Sequence, residues 1–199
     1  AGTMDVSGSA GISMSGQEKS STGNTFSSGD SINFSGSTEL DMGWTVTASM
    51  ELDGGAQAST TQLYDDRSIA INMGDSGTLT FHGHGGSSAL GAVDDVMPTA
   101  YGETWDILGA SNQVGAVAEL GAIGSGSSDN MFVYSNNMID GVGVTVSYTP
   151  SGTAEAESSV DFAVAYTGYE GLTVGYASGE DNAVAGTGSF DSTTMYVKY

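Results

Sequence analysis

The stretch from Gly43 to Asp53 reads Gly-Trp-Thr-Val-Thr-Ala-Ser-Met-Glu-Leu-Asp, and it decides the fold class. Apolar side chains stand at every second position from Trp44 to Leu52, and hydroxyl or carboxyl side chains stand between them. An alternation with a period of two is typical of a β-strand that has one apolar and one polar face. A helix would instead repeat its apolar residues every three or four positions. We therefore predict a β-strand here.

The same alternation recurs along most of the chain. It is clear in Ser31–Ser35, Ser68–Met73, Thr78–His82, Val142–Tyr148, Val160–Tyr166, Leu172–Tyr176 and Met195–Tyr199, and weaker in Met4–Met14 and Asn130–Ser135. Short turn signals such as Asp140-Gly141 and Glu170-Gly171 alternate with longer connections rich in Ser, Thr and Gly. About ten strands joined in this way predict an all-β protein with an antiparallel up-and-down topology, such as a barrel.

Charge and composition exclude several classes of protein. The chain has 199 residues, a net charge of −21, three Lys and Arg residues and no Cys. Such an acidic chain is repelled by nucleic acid, whose binding requires Lys and Arg. Without Cys, the chain has no disulfide framework and no thiolate metal site. No nucleophile elbow, P-loop or dinucleotide-binding motif is present, so we expect a protein that is not an enzyme.

Two features favour export and a membrane location. The chain opens with Ala1-Gly2-Thr3, which is typical of the start of a mature protein after signal-peptide cleavage. Aromatic residues stand at the ends of several predicted strands, as in the girdles of membrane barrels: Trp44, Phe81, Tyr148, Tyr166, Tyr176 and Tyr199. No apolar run reaches about 18 residues, so only a closed barrel could cross a membrane. Alternation by itself fits a soluble β-sandwich as well, because the apolar faces could pack on a second sheet.

One connection, from Gly83 to Asp129, is far longer than the others and shows no clear strand pair. Loops longer than about 12–15 residues are uncommon in compact domains and are usually functional or disordered. This one contains Tyr101 and Trp105, which makes it too apolar for a plain linker. We expect it to pack against the rest of the protein.

Several stretches resemble the general diffusion porins of alphaproteobacteria. Phe34–Met50 resembles their second hairpin, and Gly77–Gly83 resembles the strand that leads into their constriction loop. Asp65-Asp66-Arg67 fits the residues before their fourth strand. The resemblance covers nearly the whole chain in the order of strands and turns. It implies a sixteen-stranded, homotrimeric transmembrane barrel of the bacterial outer membrane, in contact with lipid and lipopolysaccharide, with an inward-folded third loop.

By this resemblance, residues 1–199 form a single barrel domain and residues 83–129 form its constriction loop. Ten strands are fewer than the family has, so the chain is expected to be an N-terminal portion of a longer protein. The terminal aromatic residue Tyr199 is typical of a last strand and favours instead a complete chain.

The resemblance also suggests which residues line the pore. Acids of the long loop would form the constriction: Asp94, Asp95, Glu103, Asp106 and Glu119. Arg67 would oppose them. The pore wall would carry Glu51, Asp53, Asp161 and Lys198. Family members set a cluster of bases against the acids, but here only two bases fall on strands, so we expect no strong transverse field. An excess of carboxylates raises the local cation concentration, which predicts a cation preference.

No cofactor is expected. Asp94 and Asp95 are a candidate calcium site, because Ca²⁺ prefers carboxylate and carbonyl oxygens, although these acids equally fit a solvated acidic loop. His82 and His84 are too few to make a metal site and are read as a solvated pair. The predicted function is passive diffusion of ions and small hydrophilic solutes through a water-filled channel. The alternative is a surface-exposed structural β-protein, such as an adhesin or a fibre subunit.

Overall fold

The computed structural model of the chain describes residues 2–15, 25–53, 64–93, 96, 129–151, 157–181 and 190–199. The strands are β1 (Thr3–Ser15), β2 (Thr25–Glu39), β3 (Thr45–Asp53), β4 (Asp66–Asn72), β5 (Thr78–His84), β6 (Met131–Ile139), β7 (Val142–Thr149), β8 (Ser159–Tyr169), β9 (Leu172–Asp181) and β10 (Phe190–Lys198). Two short 3-10 helices span Gly74–Ser76 and Gly91–Val93. Within these ranges, no helix has the length and apolar character needed to cross a membrane.

The ten strands form one sheet in which β1 to β10 follow one another in chain order. Every neighbouring pair is antiparallel. Each strand therefore pairs with the strands that precede and follow it in sequence, which is an up-and-down topology. The predicted all-β, antiparallel up-and-down class is confirmed.

The connections differ in length at the two ends of the sheet. At one end, called here the short-turn end, residues 40–44, 73–77, 140–141 and 170–171 join the strands. At the other, the long-loop end, residues 16–24, 54–65, 85–130, 150–158 and 182–189 join them. The tightest turns contain Gly141 and Gly171, which have φ of 72° and 77°. Glycine adopts positive φ without the steric penalty of a Cβ, so the predicted turn chemistry is confirmed.

The pairing register gives the sheet two chemically different faces. Val46 lies opposite Ile71, whereas Glu51 lies opposite Asp66. Partners in an antiparallel pair share a face, and successive residues of a strand alternate between faces. The face that holds Val46 is called the apolar face below, and the face that holds Glu51 is called the polar face.

Candidate functional site

The larger apolar side chains of the sheet are exposed rather than buried. Ile12 is 83% exposed, Phe26 75% and Met195 77%. Exposed residues of this kind lie on the apolar face of all the strands except β5: Met4, Val6, Ile12, Phe26, Ile32, Met50, Ile69, Phe132, Val146, Val160, Phe162, Val164, Val174, Met195 and Val197. Contiguous apolar surface of this extent is rare on soluble monomers. The apolar face therefore suits an apolar environment.

The polar face is acidic. Its described charged residues are Asp5, Glu39, Glu51, Asp66, Asp161 and Lys198. Lys198 is thus the one Lys or Arg residue on this face among the residues that the structure describes. Glu51 and Asp66 lie directly opposite each other in neighbouring strands near the long-loop end. Like charges in this position repel, so their proximity favours a wet environment in which water and cations screen them.

The first residues of the long connection lie on the polar face. The backbone N–H of Ala89 donates to Ser147 Oγ in β7 at 2.9 Å. Leu90 and Val93 pack with Ala163 of β8 and Ala177 of β9 in a small buried cluster. The connection therefore leaves β5 and runs across the polar face towards β7–β9. Residues 85–93 are called the crossing segment below.

Asp161 lies beneath this crossing segment. It is on the polar face, as predicted, but only 3% of it is exposed. Its Oδ2 accepts a hydrogen bond from Ser147 Oγ at 3.3 Å. Asp161 is therefore a buried carboxyl group and does not line open space. Sequence reasoning did not single out Ser147, although the alternation in β7 already places it on the polar face.

Two other predicted wall residues lie where expected in the register. Glu51 is half-buried on the polar face, and Lys198, opposite Thr173, is exposed there. The backbone of Asp53 pairs with Ser31 at the long-loop end. The predicted constriction acids lie outside the described residues: Asp94, Asp95, Glu103, Asp106 and Glu119. The candidate calcium site at the first two therefore remains a prediction.

Arg67 does not lie on the polar face where the prediction put it. It pairs with Met50 and stands two residues from Ile69, both on the apolar face. Its side chain lies over Gly83, and its Nη2 donates to the Gly83 carbonyl oxygen at 3.3 Å. The reason is the period of the strand, because a residue two positions before Ile69 shares its face. Arg67 is near the end of β4 at the long-loop end, so it is close to the rim of the apolar face.

The two histidines are separated by a shift in register between β4 and β5. His82 pairs with Ser68, and His84 pairs with Arg67. His84 Nδ1 lies 2.6 Å from Asp129 Oδ1, so the last residue of β5 contacts the end of the long connection. The predicted solvated pair is thus partly wrong, because His84 is half-buried and has a carboxylate partner. Among the described residues, no group of three or more His, Cys, Asp or Glu side chains is arranged to hold a metal ion.

The aromatic residues that were predicted to form a girdle lie at strand ends in some cases and inside the strands in others. Trp44 precedes β3, Tyr148 is next to the last residue of β7, and Tyr199 follows β10. Tyr166 lies three residues before the end of β8, and Phe81 and Tyr176 lie near the middle of β5 and β9. Phe81 packs against Phe132 with ring centroids 5.1 Å apart, and Tyr176 packs against Phe162 at 5.7 Å.

Comparison with solved structures shows the kind of fold to which this sheet belongs. The OmpF porin of Salmonella typhi, solved in complex with daunomycin, matches with a TM-score of 0.59 and 18% identity, over 98% of this chain and 60% of OmpF. This chain thus spans 60% of the length of that porin chain. A triple mutant of the Rhodopseudomonas blastica porin matches with a TM-score of 0.45 and 16% identity, over 99% of this chain and 80% of that one. The fold is that of a porin β-barrel.

Sequence comparison gives the family. Among curated proteins, no sequence matches the chain significantly. A family model described as Gram-negative porin matches residues 1–199, so the chain belongs to the Gram-negative porin family.

Proposed function

We propose that the protein forms a water-filled, cation-preferring channel in the bacterial outer membrane, through which ions and small hydrophilic solutes diffuse passively. The observation that carries this proposal is the arrangement of the two faces of the sheet. Large apolar side chains such as Ile12 and Met195 are exposed on one face, and carboxylates stand on the other. A soluble protein would bury the first face and hydrate the second. A membrane barrel instead exposes the first face to lipid, and the second face stays in water inside the barrel.

Five of the ten strands have the length of a membrane-spanning strand, β1 and β2 are longer, and β4, β5 and β7 are shorter. The strands β3, β6 and β10 have 9 residues each, β9 has 10 and β8 has 11. A tilted strand needs about 9–11 residues to cross the hydrocarbon core of a bilayer. Each strand from β2 to β9 also pairs with a neighbour on both sides, which satisfies backbone groups that lipid cannot.

The charges of the polar face support the cation preference. Its described acids outnumber Lys198, its one described Lys or Arg residue, and Glu51 and Asp66 are adjacent. Carboxylates along a wall of low dielectric constant attract cations and repel anions. The effect should weaken at high salt, because the Debye length falls from about 10 Å at 0.1 M to about 3 Å at 1 M.

Reconstitution in planar bilayers tests the proposal. We expect discrete conductance steps. In a KCl gradient, the reversal potential should have the sign of a pore that passes K⁺ more readily than Cl⁻. Replacing Glu51→Gln together with Asp66→Asn should move that potential towards zero. Glu180→Gln together with Asp191→Asn is the matched control, because these two exposed acids pair with each other on the other face. An anion-selective sign, or an equal shift in the control, would contradict the cation preference.

A surface-exposed adhesin or fibre subunit is the competing proposal, and the two differ in how the protein is extracted. A fibre subunit covers its apolar surface with other protein subunits, so it can be extracted from the cell surface without detergent. A channel needs detergent to stay in solution, and it keeps a compact form in cold sodium dodecyl sulfate. The resemblance to general diffusion porins also implies that the protein forms a homotrimer in contact with lipopolysaccharide. Cross-linking in native outer membranes tests whether the trimer forms.

A further inference from the structure

Asp161 lies near the long-loop end of β8, on the polar face, and its burial is unusual for an acid on the wall of a water-filled channel. Only 3% of its surface is exposed. Four other polar residues among those described are also buried: Ser88, Ser147 and Ser159, exposed by 2% each, and Thr149, exposed by 6%. A carboxyl group that served only to attract cations would gain from contact with water. Burial instead costs free energy unless hydrogen bonds offset it. This burial therefore needs another reason.

Two hydrogen bonds fix the orientation of the Ser147 hydroxyl group. Its hydroxyl has a single proton, which is donated to Asp161 Oδ2 at 3.3 Å. The hydroxyl oxygen is then free to accept the backbone N–H of Ala89 at 2.9 Å. The carboxyl group of β8 thus orients the hydroxyl of β7, which in turn holds a backbone group 58 positions earlier in the chain.

Small residues of the wall make room for this contact. A Cβ on Gly179 would collide with the Asp161 carboxyl group, so only glycine fits at this position of β9 without a shift. Ala163 and Ala177 lie under Leu90 and Val93 and are 8% and 0% exposed. Larger side chains there would displace the crossing segment from the wall. The wall is therefore shaped to receive this segment.

We infer that Ser147 and Asp161 are positioning residues that hold the crossing segment against the polar face. The second part of the inference rests on the proposed channel function. The crossing segment occupies space that would otherwise be open, so its position helps to set the cross-section left for diffusing solutes. Asp161 therefore acts through Ser147 on the shape of the channel, in contrast to the exposed acids, which act through their charge.

Hydrogen exchange of the full-length protein in detergent tests the contact directly. Ser147→Ala removes the acceptor of the Ala89 N–H, and we expect exchange in residues 86–93 to become about tenfold faster. Asp161→Asn keeps an acceptor oxygen for the hydroxyl, so its exchange rate should lie between the wild type and Ser147→Ala. The β7 and β8 amides should exchange as before in both variants, which shows that the sheet is intact. Unchanged exchange in residues 86–93 would overturn the inference.

A pair of glycine variants tests the same contact from the other side. Gly179→Ala should displace Asp161 and speed exchange in the crossing segment. Gly29→Ala is its matched control, because a Cβ on Gly29 of β2 meets nothing within 4 Å. Equal effects of the two changes would contradict the role given to Asp161.

Single-channel recordings of the same variants test the consequence for the channel. Ser147→Ala should broaden the distribution of conductance levels relative to the wild type and to Gly29→Ala. If exchange accelerates but the conductance distribution stays the same, the claim that the segment sets the open cross-section is wrong. If the wild type shows no conductance at all, the proposed channel function fails, and the exchange result still decides whether the two residues hold the segment.

Discussion

Placing an arginine at Val164 should destabilise the protein in lipid much more than the same change near a strand end. Val164 is at the centre of β8, Ser159–Tyr169, and it is 37% exposed on the apolar face. Its cross-strand neighbours are Val144 and Tyr176. Its surroundings on this face are therefore apolar, and in a membrane they would be lipid chains.

The size of the effect follows from the position of Val164 in the strand. With a rise of about 3.3 Å per residue, the 11 residues of β8 extend over about 36 Å. At a tilt of about 45°, they span about 25 Å of membrane, which is the height of the apolar band of such barrels. Val164 then lies near the bilayer midplane, where an arginine costs about 2–4 kcal/mol. The folding equilibrium constant should fall by about 30- to 700-fold.

Urea unfolding from lipid vesicles, followed by tryptophan fluorescence and gel mobility, measures this cost. Tyr169→Arg is the control, because Tyr169 ends β8 at the short-turn end and is 62% exposed. Near the interface, the same arginine should cost about 0–1 kcal/mol. The reasoning would be refuted if Val164→Arg were within about 0.5 kcal/mol of the control, as on a water-exposed surface.

Three other changes test local contacts. His84→Ala removes the partner that lies 2.6 Å from Asp129, so amides at the long-loop end of β5 and β6 should exchange up to about tenfold faster; unchanged rates would argue against this contact. Gly141→Ala should lower the free energy of unfolding by about 1–2 kcal/mol, since φ there is 72°, and a neutral result would contradict the turn geometry. Phe81→Leu and Phe132→Leu should show a coupling of about 0.5–1.5 kcal/mol in a double-mutant cycle, because their rings are 5.1 Å apart; strictly additive effects would contradict the ring contact.

Most of the fold could be predicted because the alternation of apolar and polar residues within each strand already shows its two faces. In Gly43–Asp53, the alternation requires no knowledge of distant residues. The weak points were stretches with few apolar residues, as in the first half of β2, where Phe26 is the only large one. That strand begins at Thr25, earlier than the first clear alternation at Ser31, because it pairs with β1 along its whole length up to Ser15. Pairing partners decide such boundaries, and a single strand does not show them.

The candidate site was harder to predict because it depends on contacts between distant parts of the chain. The hydrogen bond from Ala89 to Ser147 joins residues 58 positions apart, and neither residue belongs to a motif. The same contact buries Asp161. The sequence predicts which face of the sheet Asp161 is on, but not that it is buried. Arg67 is a different case, because its spacing from Ile69 already indicated the apolar face. The resemblance in the preceding residues places Arg67 opposite the loop acids, and the alternation is the better guide to its face.

Spin labelling along β2 tests the orientation of the two faces most directly. The chain has no Cys, so single cysteines at Ile32, Asn33, Phe34 and Ser35 can be labelled one at a time. In lipid vesicles, we predict that labels at Ile32 and Phe34 collide mainly with lipid-soluble oxygen, which speeds their spin relaxation. Labels at Asn33 and Ser35 should instead collide mainly with a water-soluble nickel chelate. Labels at Ile32 and Phe34 that are shielded from both reagents would place the apolar face inside a protein core and would contradict the channel.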